Sequence, residues 1–163
     1  MNKPSKLPKD PMGYALKYLS FRPRTEKEVR RALAKRQVPE NDIEDIIEEL
    51  LRLGYINDRD FCDSFISHNI RINMRARYVV KRDLFQYGVS TEDVEWAMNE
   101  YYPPETEKEV WQNYWQKLKL NLPEGWQKDP KQVRRLIGKA QYKGFAKDIY
   151  LPDIMVGDLD KSE

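Results

Sequence analysis

A chain of 163 residues with 34% charged and 12% aromatic side chains is too aromatic for a disordered polymer, and it has room for one ordinary domain or several small modules that share cores. The one cysteine, Cys62, excludes an intramolecular disulfide and a cysteine-rich metal cluster and points to a reducing, cytoplasmic setting; no apolar run approaches the roughly 18 residues of a membrane span, and the opening MNKPSKLPKDP lacks the apolar core of a signal peptide. Formal net charge is +2, so any preference for an acidic partner must come from how charge is distributed rather than from its total.

Residues 1–10 read as a loose polar tail. Residues 11–22 predict a helix with Pro11 in its first turn and Ala15, Tyr18, Leu19 and Arg22 at helical spacing; Pro23 ends it, because the residue before a proline avoids the α region. TEKEV at 25–29 opens the next helix, with Thr25 and Glu28 forming a capping box and Val29, Ala32, Leu33 and Arg36 on one face to residue 37. Residues 39–54 carry Ile43, Ile46, Ile47, Leu50 and Leu53 at the 3.6-residue period, and Gly54 suits the position just past the helix end. Asn57 and Asp58 cap a helix bearing Phe61, Phe65, Ile66 and Asn69, and residues 75–88 form one with Val80, Leu84 and Tyr87 on a face and Gly88 at its end. Ser90 pairs with Asp93 to start a helix that buries Val94, Ala97, Met98 and Tyr101 and stops at Pro103-Pro104. TEKEV recurs at 106–110, with Thr106 and Glu109 read as a second capping box on a helix within 105–122 that carries Val110, Trp111, Tyr114, Trp115 and Leu118. LPEGWQKDP is a loop by its proline and glycine content. Residues 131–144 form a helix with Val133, Leu136, Ile137 and Ala140, ended by Gly144; residues 145–155 form a last short helix cut by Pro152, and 156–163 a polar tail. No alternating run reads as a strand.

A shift of 51 residues lays Val29, Leu33, Val38 and Ile43 onto Val80, Leu84, Val89 and Val94: a helix, an apolar hinge residue, a cap and another helix recur in register. A third copy places Leu136, Ala140, Phe145 and Ile149 in the same roles, with one residue fewer between hinge and last helix. A rival register sets Val29-Arg30-Arg31 on Val133-Arg134-Arg135 and Lys35 on Lys139; the hinge-based one is preferred, because packing fixes the hinge residue. The fold class is all-α, an elongated monomer of three tandem three-helix repeats at 11–54, 55–102 and 103–155, each too small to bury a core without its neighbour.

Basic residues cluster on the middle helix of each repeat. Arg22, Arg24, Arg30, Arg31, Lys35 and Arg36 form one group, Arg71, Arg75, Arg77, Lys81 and Arg82 a second, and Lys128, Lys131, Arg134, Arg135, Lys139, Lys143 and Lys147 a third, while acids gather on the other helices. Such faces suit DNA phosphates or an acidic protein surface; the plain alternative is a solvated face with local ion pairs. The candidate contact residues are Arg71, Arg75, Arg77, Lys81, Arg82, Arg134, Arg135, Lys139 and Lys143. Trp111 and Trp115 are spaced for core packing ahead of base stacking, Cys62 for burial, and His68 has no nearby cysteine with which to hold a metal. Asp58 and Asp60 suit a helix start. There is no phosphate loop, nucleophile elbow or paired catalytic constellation, so no catalytic residue, metal or cofactor is expected.

The stretches ALKYLSFRPRTEKEVRRAL, LGYINDRDFCDSFI, DLFQYGVSTEDVEWAM and YKGFAKDI resemble the RecX family, regulators of the RecA recombinase, over roughly residues 12–150. The carrying pattern is R-x-R-T-x-x-E at Arg22–Glu28, then G-Y-I-N-D-x-x-F from Gly54 to Phe61, with Lys143-Gly144-Phe145 in the third repeat. The chain departs from the family in INMRARYVV, where many relatives have a glycine turn, and in the insertion NLPEGWQKDP. The resemblance implies an elongated, curved, non-enzymatic helical protein that binds the RecA–DNA filament and restrains recombinase and ATPase activity. The alternative is a general helical DNA-binding protein acting on single- or double-stranded DNA through its basic faces.

Overall fold

The structure, a computed structural model, describes residues 6–155. Among them are nine α-helices and no strand: α1 (Pro11–Ser20), α2 (Glu26–Lys35), α3 (Glu40–Arg52), α4 (Asp58–His68), α5 (Arg77–Gln86), α6 (Thr91–Tyr101), α7 (Thr106–Lys119), α8 (Pro130–Tyr142) and α9 (Lys147–Met155). A π segment, Asn69–Asn73, follows α4, and a 3₁₀ turn, Trp126–Lys128, precedes α8. The tails expected at 1–10 and 156–163 lie outside the described residues except for 6–10, where Asp10 caps α1 by accepting from the Gly13 amide at 2.9 Å.

The three-helix pattern is visible in one turn made three times. The Val38 amide donates to the Leu33 carbonyl and that of Gln37 to Ala34; Val89 and Gly88 donate to Leu84 and Phe85; Phe145 and Gly144 donate to Ala140 and Gln141. This pair of bonds needs a left-handed residue just past the helix, supplied by Gln37 (φ 62°), Gly88 (φ 84°) and Gly144 (φ 90°). Leu33, Leu84 and Ala140 are buried, as are the hinge residues Val38, Val89 and Phe145, so the hinge-based register holds. One assignment is corrected: Tyr150, not Ile149, is the buried partner on the last helix. Phe145 to Tyr150 then has the same spacing as Val38 to Ile43, and no residue is missing.

Four local expectations also change. Thr106 is the first residue of α7 rather than its cap, because the turn at Pro103 and Pro104 accepts the Thr106 and Glu107 amides through backbone carbonyls. Pro152 lies inside α9, which continues to Met155. Leu53 is half exposed, and Tyr102, just past α6, takes the buried position expected of Tyr101. Where a glycine turn is absent, Met74 itself adopts the left-handed conformation (φ 49°, ψ 59°) at the end of the π segment.

The chain forms two compact units. The first comprises residues to Phe65 together with Asp83–Ala97; its core gathers Ala15, Val29, Leu33, Val38, Ile43, Ile47 and Leu50. The second comprises Ile66–Arg82 and the residues from Met98 onward. Its centre is Trp111, which lies against Trp115, Phe145 and Tyr150 and donates its indole N–H to Asp153 at 2.7 Å. Each unit contains the same joint between successive middle helices. In the first, the Thr25 hydroxyl donates to the Tyr87 carbonyl (2.6 Å) and the Glu26 amide to the Asp58 carboxylate (2.9 Å). In the second, the Ala76 amide donates to the Lys143 carbonyl (2.8 Å) and the Arg77 amide to the Glu107 carboxylate (2.8 Å). A carboxylate borrowed from another helix thus satisfies the first amide of α2 and of α5, groups that no intrahelical carbonyl reaches.

Candidate functional site

In the first unit Arg22, Arg24, Arg30 and Arg36 hold the fold. Glu28 closes the capping box with Thr25 and also receives Arg22 at 2.5 Å and Arg24 at 3.5 Å, so R-x-R-T-x-x-E is a helix start whose charges pair locally, with Arg24 Nε buried and lacking a hydrogen-bond partner. Arg30 pairs with Glu26 and Glu44, and Arg36 lies over the Tyr14 ring. The G-Y-I-N-D-x-x-F stretch has the same character. Gly54 is left-handed (φ 77°), Ile56 and Phe61 are buried, Asn57 caps α4, and Asp58 caps α2. Burial raises the Asp58 pKa, against the Glu26 amide that lowers it.

The second unit differs. The buried Asn69 side chain accepts from Asn73 (3.1 Å) and Arg75 (3.4 Å), and the Asn69 carbonyl accepts the Arg75 amide, which shapes the π segment. The Tyr102 hydroxyl donates to the Arg75 carbonyl at 2.9 Å, and the Lys143 ammonium donates to the Asn73 carbonyl. These bonds frame a cleft of about 660 Å³ lined by Asn73, Arg75, Tyr78, Val79, Arg82, Gln141, Tyr142, Lys143 and Gly144. A second depression of about 250 Å³ is lined by Tyr114, Lys117, Leu118, Asn121, Leu122, Arg135, Leu136 and Lys139. Lys143 links them. Its ammonium sits 5.2 Å from the Tyr114 ring centre, and its pKa is lowered by burial first and then by the charges of Arg75 and Lys117. Among the described residues, none lining either depression is acidic.

The nine candidates therefore divide. Arg75, Arg82 and Lys143 meet in the cleft, and Arg135 and Lys139 in the second depression. Arg71 is exposed on the π segment, Lys81 is half-buried on α5 and Arg134 exposed on α8, all outside both linings. Arg77 is a structural residue: its side chain donates to the Tyr102 carbonyl (2.7 Å) and to Asn99 (3.4 Å). Reversing its charge would disturb the joint rather than a surface. Sequence reading missed Tyr78 and Tyr142, exposed by 70% and 86%, and the amides of Asn73 and Gln141. The available signal was an aromatic beside each basic cluster.

Trp111 and Trp115 are core residues, and Trp126 packs edge-on to Trp115 at 5.8 Å. The Cys62 thiol is buried and pushed up to about 12 by desolvation and by Asp58 and Asp93, so it is not a nucleophile at neutral pH. Among the described residues no group of histidine, cysteine and carboxylate side chains is placed to hold a metal, and no helix is long and apolar enough to cross a membrane.

Comparison with known proteins gives one consistent result. The family description "RecX, first three-helix domain" matches residues 12–50. The chain is similar to the "Regulatory protein RecX" of Bacillus pumilus (strain SAFR-032), 31% identical over 135 residues, 83% of this chain and 50% of that protein. It is similar to the protein of the same name from Streptococcus agalactiae serotype V, 28% identical over 148 residues, 91% of this chain and 55% of that protein. The chain spans about half the length of these curated relatives. The crystal structure of RecX from Lactobacillus salivarius aligns with a TM-score of 0.67 at 25% identity, covering 92% of this chain and 94% of that one. A second, described as a crystal structure of regulatory protein RecX, aligns at a TM-score of 0.63 and 23% identity over 91% of this chain and 73% of its own, a likeness of fold.

Proposed function

The chain belongs to the RecX family, and from that premise we propose that it binds the RecA–DNA filament and inhibits recombinase and ATPase activity, docking through the cation-lined face of its second unit. The observation that carries the docking site is the grouping of cations in the second unit: Arg75, Arg82 and Lys143 line one cleft and Arg135 and Lys139 a second depression, and no acidic residue is among either lining. A nucleoprotein filament presents rows of phosphates and acidic side chains. Cations on a concave face meet such rows with favourable encounter rates and a strong dependence on salt. Inhibition then follows from occupying the filament, with no bond made or broken by this chain and no cofactor.

The test uses Arg82 and Arg135, both exposed and one from each depression. Arg82→Glu with Arg135→Glu should weaken inhibition of RecA's DNA-dependent ATPase by tenfold or more, about 1.4 kcal/mol, with an unchanged far-UV spectrum. Undiminished inhibition by the folded double variant overturns the docking site. The alternative, a competitor that simply covers DNA, is separated by dose: a filament regulator acts below one copy per DNA site, and a competitor does not.

A further inference from the structure

A glycine in a helix interior is destabilising, so each one asks for a reason. Five of the six described glycines have one within the fold: Gly54, Gly88, Gly125 and Gly144 are left-handed, and Gly13 lies under the Asp10 cap, which a Cβ there would strike. Gly138 is different. It stands exposed in the middle of α8, and a Cβ placed on it would meet no neighbouring group within 4 Å. The exposed side of α8 around it reads Lys131, Arg134, Arg135, Gly138, Gln141 and Tyr142, positions that share one face at the 3.6-residue period. That face holds three cations, no acid and a tyrosine that is 86% exposed. Gln141 and Tyr142 line the cleft and Arg135 the second depression, so the face joins the two.

We propose that this face of α8 docks an acidic α-helix of a partner protein, which crosses α8 at Gly138. The proposal rests on the regulator reading and deepens it, since it names the kind of element on a filament's protein surface that the face would take. Helices pack by setting the side-chain ridges of one into the grooves of the other, about 8–10 Å apart according to the side chains at the contact. A glycine at the crossing point opens the groove and lets the axes approach to the near end of that range. Arg134 and Arg135 stand one turn before Gly138, and Gln141 and Tyr142 one turn after it. Carboxylates three or four residues apart on the crossing helix fit the two arginines, whose planar forks take carboxylates in bidentate pairs. An apolar side chain beyond them covers the Tyr142 ring. The hydrogen bonds that Arg135 and Gln141 make in the free chain are long, 3.5 Å to Gln132 and 3.4 Å to the Tyr150 hydroxyl, so a partner can replace them. Nucleic acid is the weaker match: its phosphates need the cations, but they have no ridge to set into a gap on a helix whose own amides are already bonded along α8.

The experiment reads stability and filament binding on the same variants of the full chain. In urea denaturation Gly138→Ala should move the folding equilibrium about fivefold toward the folded state, the usual gain from replacing a glycine inside a helix. Gly138→Leu should also be at least as stable as the parent, because leucine is a strong helix former. Both should nevertheless inhibit RecA's DNA-dependent ATPase less well. Gly138→Leu fills the groove and should raise the dose for half-inhibition about tenfold or more, the scale of overpacking a close contact, and Gly138→Ala by less. Arg134→Glu should weaken inhibition about tenfold by setting like charges against each other, and Arg134→Lys should keep part of it. Binding of the bare chain to fluorescein-labelled oligothymidylate, without recombinase, should be unchanged in Gly138→Leu. A Gly138→Ala chain less stable than the parent shows that the glycine serves the fold and overturns the proposal. Gly138→Leu that binds oligothymidylate as poorly as it inhibits the ATPase puts nucleic acid on α8 and also overturns it. A parent chain that does not inhibit the ATPase removes the regulator reading, and the proposal falls with it; inhibition by the parent that survives undiminished in Gly138→Leu removes the proposal alone.

Discussion

Substituting Gly144 by alanine tests the joint on which the cleft is built. Gly144 ends α8 in the left-handed conformation (φ 90°), and a Cβ placed on it would collide with a methyl group of Val79 and lie 3.4 Å from the Ala76 Cβ. Val79 and Ala76 are buried, and the Ala76 amide is bonded to the Lys143 carbonyl next door, so neither has open space to move into. The left-handed backbone costs a non-glycine residue about 1–2 kcal/mol. The forced shift of Val79 adds about 1–3 kcal/mol, the usual range for overpacking a filled site. Gly144→Ala should therefore destabilise by about 2–5 kcal/mol. Gly54 is the internal control. It has the same left-handed backbone (φ 77°), but its added Cβ would meet nothing within 4 Å. Gly54→Ala should cost only the backbone share, about 1–2 kcal/mol. Urea denaturation followed by far-UV circular dichroism measures both, and the difference between them isolates the contact. Equal losses at the two glycines would refute the claim that the joint is tightly packed. Because Val79, Lys143 and Gly144 line the cleft, Gly144→Ala should also weaken inhibition of the RecA ATPase, whereas Gly54→Ala should not.

Leu33→Ala and Leu84→Ala should each destabilise by about 2–5 kcal/mol, since both side chains are fully buried at the same step of the repeated turn; a loss under about 0.5 kcal/mol at either, well below that range, breaks the equivalence of the repeats. Burial makes the charged form of Asp58 costlier in the folded protein than in the unfolded chain. Its folded pKa is raised by burial, so its ionisation costs nothing below the unfolded carboxylate pKa, and the cost grows as pH rises through the window up to the folded value. Asp58→Asn keeps an acceptor for the Glu26 amide and should match or exceed the parent in stability at neutral pH, with any gain fading in acid. Asp58→Ala leaves that amide without its partner and should cost about 1–3 kcal/mol in the same urea titration.

Much of the fold was legible because it is written in local rules. The period of Ile43, Ile46, Ile47 and Leu50 places α3, Thr25 and Glu28 make the predicted capping box, and Gly54, Gly88 and Gly144 end their helices left-handed. The repeat was legible for the same reason: Leu33 and Leu84 must occupy the same place if the same turn follows each. Local rules failed where a distant or neighbouring group competes. Thr106 and Glu109 have the spacing of a cap, yet the turn at Pro103 and Pro104 already satisfies the first amides of α7. Ile149 fits a shortened third copy by composition, yet Tyr150 is the side chain that reaches Trp111. INMRARYVV lacks the glycine that a left-handed turn favours, yet Met74 makes the left-handed bend, buried and with its neighbours bonded across the π segment.

What the sequence by itself determined is the helical content, the positions of the turns, the identity of the core and the density of positive charge on each middle helix. These depend on residues within a few positions of one another along the chain. Which of those charges meet in a cleft and which are bonded within the fold was decided only by tertiary structure, because it depends on groups brought in by other elements. Arg22 and Arg77 look alike in sequence, and so do Arg30 and Arg82. Glu28 takes up Arg22, the Tyr102 carbonyl takes up Arg77, and Glu44 takes up Arg30, while Arg82 comes to line a cleft with Lys143 and Tyr142, some 60 residues further on. A charge cluster in a sequence states how many cations there are; the groups that the fold brings to each of them decide where each cation stands.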